Sequence, residues 1–121
     1  LPGILTKDRR TLIEITAIPE IDGAPMIDML EKRFPEHTFF MENDANAATW
    51  AEVRFGAAQN RRNVIMLTVG TGLGGGIVID GRLVRGANGV AAEVGHIAIS
   101  GCRARDCACA GYSGSRFGIS R

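Results

Sequence analysis

Three clusters of residues in this 121-residue chain have the types and spacing to do chemistry together. The first is Glu42-Asn43-Asp44. The second is TVGTGLGGGI, residues 68–77. The third is the pair Glu93 and His96, with Cys102, Cys107 and Cys109 behind it. A carboxylate beside a strand end can take a proton from a hydroxyl as that hydroxyl attacks phosphorus. In open α/β sheets, ligands gather at the carboxyl ends of strands. Asn43 both donates and accepts, which suits a sugar hydroxyl. Glycine has no Cβ, so a glycine-rich turn can take positive φ and bring backbone N–H groups close to phosphoryl oxygens. Thr68 and Thr71 add hydroxyls beside Gly70, Gly72 and Gly74. Together the clusters point to chemistry on a phosphate and a polyhydroxylated partner.

Glu93 and His96 stand three apart, so a helix over residues 90–96 would put both on one face. Glu93 could accept from two neighbouring hydroxyls. His96 could bind a metal through one ring nitrogen and orient substrate with the other. One histidine with Cys107-Ala108-Cys109 supplies three ligands of the kind zinc prefers, and Cys102 remains as a fourth. Each cluster also has a plainer explanation. Asp44 could simply cap a helix. The glycines could serve a connecting hairpin. The cysteines could be ordinary free thiols. No Lys-Ser/Thr follows the glycines, so they do not form a Walker A loop. An apolar strand pattern follows rather than a helix, so they are not a dinucleotide-binding turn.

These residues need elements to position them. Residues 11–16 alternate as a short strand. Pro19 and Gly23 mark a loop. Pro25 opens a helix with Met26, Ile27, Leu30 and Phe34 on one face, and Pro35 stops it. Residues 37–41 are aromatic and apolar and are expected to form a buried strand. An Ala-rich helix follows over residues 45–55, capped by Asn43 or Asp44 and stopped at Gly56. Strands are expected at 64–69 and 76–79, on either side of the glycine turn. Asp80-Gly81 signals a hairpin, with a return strand at 82–85. A short helix at 90–94 and a strand at 97–99 complete the pattern, and residues 110–121 show none. Alternating strands and helices indicate an α/β protein. The length suits one domain with a modest core. A net charge of +1 with scattered Lys and Arg marks no nucleic-acid surface. No apolar run nears the roughly 20 residues of a membrane span. Clustered cysteines that form no even set suit a reducing cytosol.

In this order the clusters resemble the ROK family of bacterial sugar kinases and related repressors. ENDANAA (42–48) resembles its substrate and catalytic-base motif. TVGTGLGGGI resembles its second phosphate-binding loop. GANGVAAEVGH (86–96) resembles the stretch that supplies a sugar-binding glutamate and a zinc-binding histidine. CAC (107–109) resembles the start of its cysteine-rich zinc motif. The wording around residues 42–52 and 83–97 looks most like the glucokinases of the family. The resemblance implies an actin-like ATPase, ribonuclease H-like bilobal fold. Residues 1–43 would trail from the small lobe and residues 44–109 begin the large lobe. It makes Asp44 the general base for a sugar 6-hydroxyl and gives Asn43, Glu93 and His96 to the sugar. Thr68, Gly70, Thr71, Gly72 and Gly74 go to the ATP phosphates, and His96, Cys107 and Cys109 to zinc. ATP, Mg2+ and structural Zn2+ are the implied cofactors. Glucose or a related hexose is the implied partner, in a cytoplasmic homo-oligomer.

The chain departs from the family pattern in several places. Family members are well over twice its length, and their first phosphate loop and adenine-holding region have no counterpart here. The pattern is lost after Cys109, where Ala110 replaces a glycine and the third cysteine and a second sugar-binding glutamate are missing. That loss suggests a truncated or frame-shifted reading. With half of the nucleotide cradle missing and the strands of both lobes lacking neighbours, the chain is expected to be inactive and poorly folded on its own. Ala92 stands where a glycine is usual, which reads as a mild change. The rival readings are a sugar-responsive repressor, a kinase for an N-acetylated amino sugar, and a kinase using polyphosphate.

Overall fold

The structure is a computed structural model and describes residues 1–15, 17–70 and 72–96. β1 (Ile4–Leu5) and β2 (Leu12–Glu14) form an antiparallel hairpin, with Leu5 opposite Leu12. Leu12 also exchanges backbone hydrogen bonds with the next loop: it donates to Ala24 O at 3.0 Å and accepts from Gly23 N–H at 2.8 Å. α1 (Met26–Arg33) lies on this hairpin through Ile27. Leu5, Leu12, Ile15, Ile27 and Met41 make a small core, with Ile21, Met26 and Phe39 packed against it. Arg10 fastens the hairpin to α1 by donating to Asp28 and Glu31. Of the apolar face expected on α1, only Ile27 is buried, and Phe34 just past the helix is exposed.

α2 (Asp44–Phe55) packs on a three-stranded antiparallel sheet of order β3-β4-β5, made of β3 (Val64–Val69), β4 (Leu73–Ile79) and β5 (Arg82–Leu83). The helix starts as its sequence demands, because the Asn43 side chain accepts from Asn46 N–H at 3.1 Å. Gly56 occupies the C-cap with φ −111°, so the helix leaves in an extended direction without a left-handed cap. Asp80 and Gly81 have φ +51° and +77° between the paired Ile79 and Arg82, as the two-residue hairpin signal requires. The return strand holds two residues rather than four. Residues opposite each other in an antiparallel pair share a face, so β3 turns Met66 and Thr68 toward α2. Its other face leaves Ile65, Leu67 and Val69 exposed. No helix among the described residues is long and apolar enough to cross a membrane.

Two expected elements do not form. Residues 37–41 are not a strand: Met41 is buried, Phe39 half-buried and Phe40 90% exposed. Phe34, His37 and Phe39 cluster instead, with ring centroids 6.2 to 6.3 Å apart. Aromatic and apolar content favours a strand only when a neighbour supplies the ladder, and among the described residues none pairs here. Residues 90–94 are not a helix. Ala92 has φ +66°, which a right-handed helix cannot contain, and the chain makes a short 3-10 turn at Val94–His96 instead. The strand expected at 97–99 and the pattern-free tail lie outside the described residues.

Candidate functional site

Three of the glycines are strand residues at a point of close packing. Gly74, Gly75 and Gly76 lie inside β4, paired with Thr68, Leu67 and Met66. None of the three has positive φ; among the described glycines that conformation belongs to Gly23, Gly81, Gly86 and Gly89. Close packing excludes their side chains. A Cβ at Gly76 would sit 2.0 Å from Thr49 Oγ1, and one at Gly74 would sit 2.6 Å from Thr68 Oγ1 and 3.1 Å from Ala45 Cβ. A Cβ at Gly75, on the other face, would sit 2.8 Å from Ala92 O and 3.0 Å from Val94 Cγ2. The glycine strand therefore lets α2 press on one face and residues 92–96 on the other.

That double approach assembles the site. α2 brings Asp44 at its first turn, and the 3-10 turn brings Glu93 and His96. These residues meet in a cleft of about 320 Å³ that Asn43, Gly74 and Gly75 also line, together with Gly3 and Glu14. Asp44 is exposed, and its Oδ1 accepts from Ala45 N–H at 2.9 Å. Asn43 is the residue that caps the helix, so Asp44 is not held there by that task. The Asn43 amide also donates from Nδ2 to Gly3 O at 3.4 Å. Glu93 Oε2 and His96 Nε2 stand 3.9 Å apart, near enough for charge to act but too far for a hydrogen bond. Three carboxylates and one imidazole thus face a single opening.

Of the other residues expected at the phosphate end, Thr68, Gly70 and Gly72 do not line this cleft. Thr71, Cys102, Cys107 and Cys109 lie outside the described residues. Among the described residues no three His, Cys, Asp or Glu side chains gather closely enough to hold a metal ion. Ala92 has φ +66°. Its left-handed backbone is one that glycine adopts without strain, so alanine there is more than a mild change.

Sequence reasoning missed Glu14 and the groups behind Asn43. Alternation would put Glu14 on the face of the buried Leu12, yet Glu14 is exposed at the end of β2, and its local sequence does not say what it faces. Glu42 accepts from Arg85 Nε at 2.8 Å and Nη2 at 2.6 Å, and from Arg9 Nη1 at 3.1 Å. Burial pushes the Glu42 carboxyl up. The hydrogen bond and charge of Arg85, then the Asn43 N–H and Arg9, outweigh that and hold it below the usual carboxylate range.

A glucokinase of Streptomyces coelicolor is 53% identical to this chain over 73 residues, 55% of the chain and 23% of the relative. A xylose repressor of Bacillus subtilis is 33% identical over 99 residues, 82% of the chain and 25% of the relative. The crystal structure of a ROK family glucokinase from Streptomyces griseus, in complex with glucose and AMPPNP, matches with a TM-score of 0.72 at 45% identity. That match covers 81% of this chain and 31% of the crystallised one. The chain therefore spans less than a third of the length of each of these proteins. Its α/β architecture is part of the actin-like ATPase fold of such sugar kinases. The family match runs over residues 1–114, and the chain belongs to the ROK family.

Proposed function

We propose that this chain is part of an ATP-dependent sugar kinase that phosphorylates glucose at its 6-hydroxyl. The observation that carries the reading is the shared cleft: Asp44, the glycine strand, Glu93 and His96 open onto the same space. Asp44 takes the proton of the attacking hydroxyl as general base. Asn43, Glu93 and His96 hold the sugar. A primary amide nitrogen carries two protons and its oxygen two lone pairs, so Asn43 can cap α2, donate to Gly3 and still meet a sugar hydroxyl. Thr68, Gly70, Thr71, Gly72 and Gly74 are assigned to the phosphates of ATP. Mg2+ arriving with ATP would neutralise charge on the transferred group. Zinc would be held by His96, Cys107 and Cys109. In this reading residues 1–43 belong to the small lobe and residues 44–109 to the large lobe of a cytoplasmic homo-oligomer. Likeness to glucokinases, one of them crystallised with glucose and an ATP analogue, supports it.

A second reading, a sugar-responsive repressor, is favoured by the likeness to the xylose repressor over 82% of the chain. One experiment separates the two. In the full-length protein carrying this chain, Asp44→Asn should lower turnover of glucose with ATP by about 10²- to 10⁴-fold while glucose affinity persists. Undiminished turnover rules out Asp44 as base. A wild-type protein that turns over no hexose or N-acetylated amino sugar, with ATP or with polyphosphate, and releases DNA on binding sugar is the repressor.

A further inference from the structure

Glu42 stands one residue before Asn43 and does not line the cleft. Its partly buried carboxylate nevertheless receives donors from three separate segments. Arg85 and Arg9 converge on the same oxygen, Oε2. Oε1 accepts from Asn43 N–H at 3.3 Å and from Asn46 Nδ2 at 3.5 Å. Arg9 comes from the turn between β1 and β2, where it holds φ +57°, a conformation that costs a non-glycine residue energy. Arg85 follows β5, and its carbonyl accepts from Ala91 N–H at 3.0 Å. The loop that leads to Glu93 and His96 therefore starts from the residue that grips Glu42.

We propose that Glu42 is a positioning residue, an ionic clasp that sets the spacing between Asp44 on α2 and the segment bearing Glu93 and His96. The proposal rests on the kinase reading of the cleft. Removing one member of a partly buried ion pair leaves the charge of the others uncompensated, so the clasp holds only with all its members present. Arg9 and Arg85 on the one oxygen of Glu42 define the geometry of the clasp. Loss of the Glu42 charge would leave Arg9 and Arg85 facing each other, and they would move apart. Arg85 would carry the 86–96 loop with it. Asp44 would then address a sugar that has shifted, so the loss should fall on kcat more than on KM.

The clasp can be watched without turnover. Trp50, the only tryptophan of the chain, lines one depression together with Glu42 and Arg85. In the full-length protein, Glu42→Gln and Arg85→Gln should each lower kcat by about tenfold or more and shift the emission of Trp50, isolated by difference from the same proteins carrying Trp50→Phe. The double variant should be no worse than either single one, because both remove the same contact. Arg85→Lys, which keeps the charge and one donor, should recover part of the loss. Additive losses overturn the clasp. So does an unchanged kcat with only a lowered melting temperature, which leaves a merely structural ion pair. If the wild type phosphorylates no sugar, the kinase reading fails on its own. The coupling is then read on Trp50 emission, where independent shifts in the two single variants overturn the clasp separately.

Discussion

Gly76→Ala tests the packing that assembles the cleft. A new Cβ would lie 2.0 Å from Thr49 Oγ1 and 2.6 Å from Thr49 Cβ, where ordinary contact begins at 3.4 Å. Rotating the hydroxyl away would break its 2.7 Å bond to Ala45 O, at a cost of about 1 kcal/mol. It would not move Thr49 Cβ, so the α2 backbone must still retreat by roughly 0.8 Å. Overpacking of this kind costs about 1–3 kcal/mol. Gly76→Ala should therefore destabilise the full-length protein by about 2–4 kcal/mol. Asp44 rides on the same helix, and a misplacement of about 1 Å can lower turnover by about 10²-fold. Gly70→Ala is the control for stability, because a Cβ there meets nothing within 4 Å among the described residues. It should change stability by no more than about 0.5 kcal/mol. Urea unfolding measures the stabilities, and a coupled phosphorylation assay on the folded variants measures turnover. The reasoning is refuted if Gly76→Ala keeps the wild-type midpoint, or if Gly70→Ala lowers the midpoint more than Gly76→Ala does.

Ala92→Gly should stabilise the protein by up to about 1 kcal/mol, since φ +66° is strained for alanine and free for glycine. A lower urea midpoint in that variant would show that the backbone there does not hold this conformation. Glu42 predicts a pH dependence. Its folded carboxyl lies below its ordinary value, so its contribution to stability is complete above the unfolded value of about 4.3 and is lost as pH falls through the folded one. Wild type should therefore lose stability relative to Glu42→Gln as the pH is lowered from about 5 into that range. A difference between the two that stays flat across this range contradicts the assignment.

Features whose cause lies within a few residues were legible in the chain. Asn43 caps α2 because its side chain reaches Asn46 N–H three residues on. Asp80-Gly81 makes its hairpin because two adjacent residues accept positive φ. The order of the motifs was enough to indicate the ROK family and its fold. Where the partner is remote, the same kind of reading failed. Residues 37–41 have strand composition, but among the described residues no neighbouring strand completes a ladder. The glycines at 74–76 announce close approach, yet only the packed helix on one face of β4 and the carbonyl of Ala92 on the other say what approaches. Glu42 looks like any acidic neighbour of a helix start until Arg85, 43 residues later, closes on it. A residue's own conformational preferences and immediate neighbours are written in its local sequence. Contacts across the fold depend on where separate segments come to rest, and for the cleft only the tertiary structure decided that.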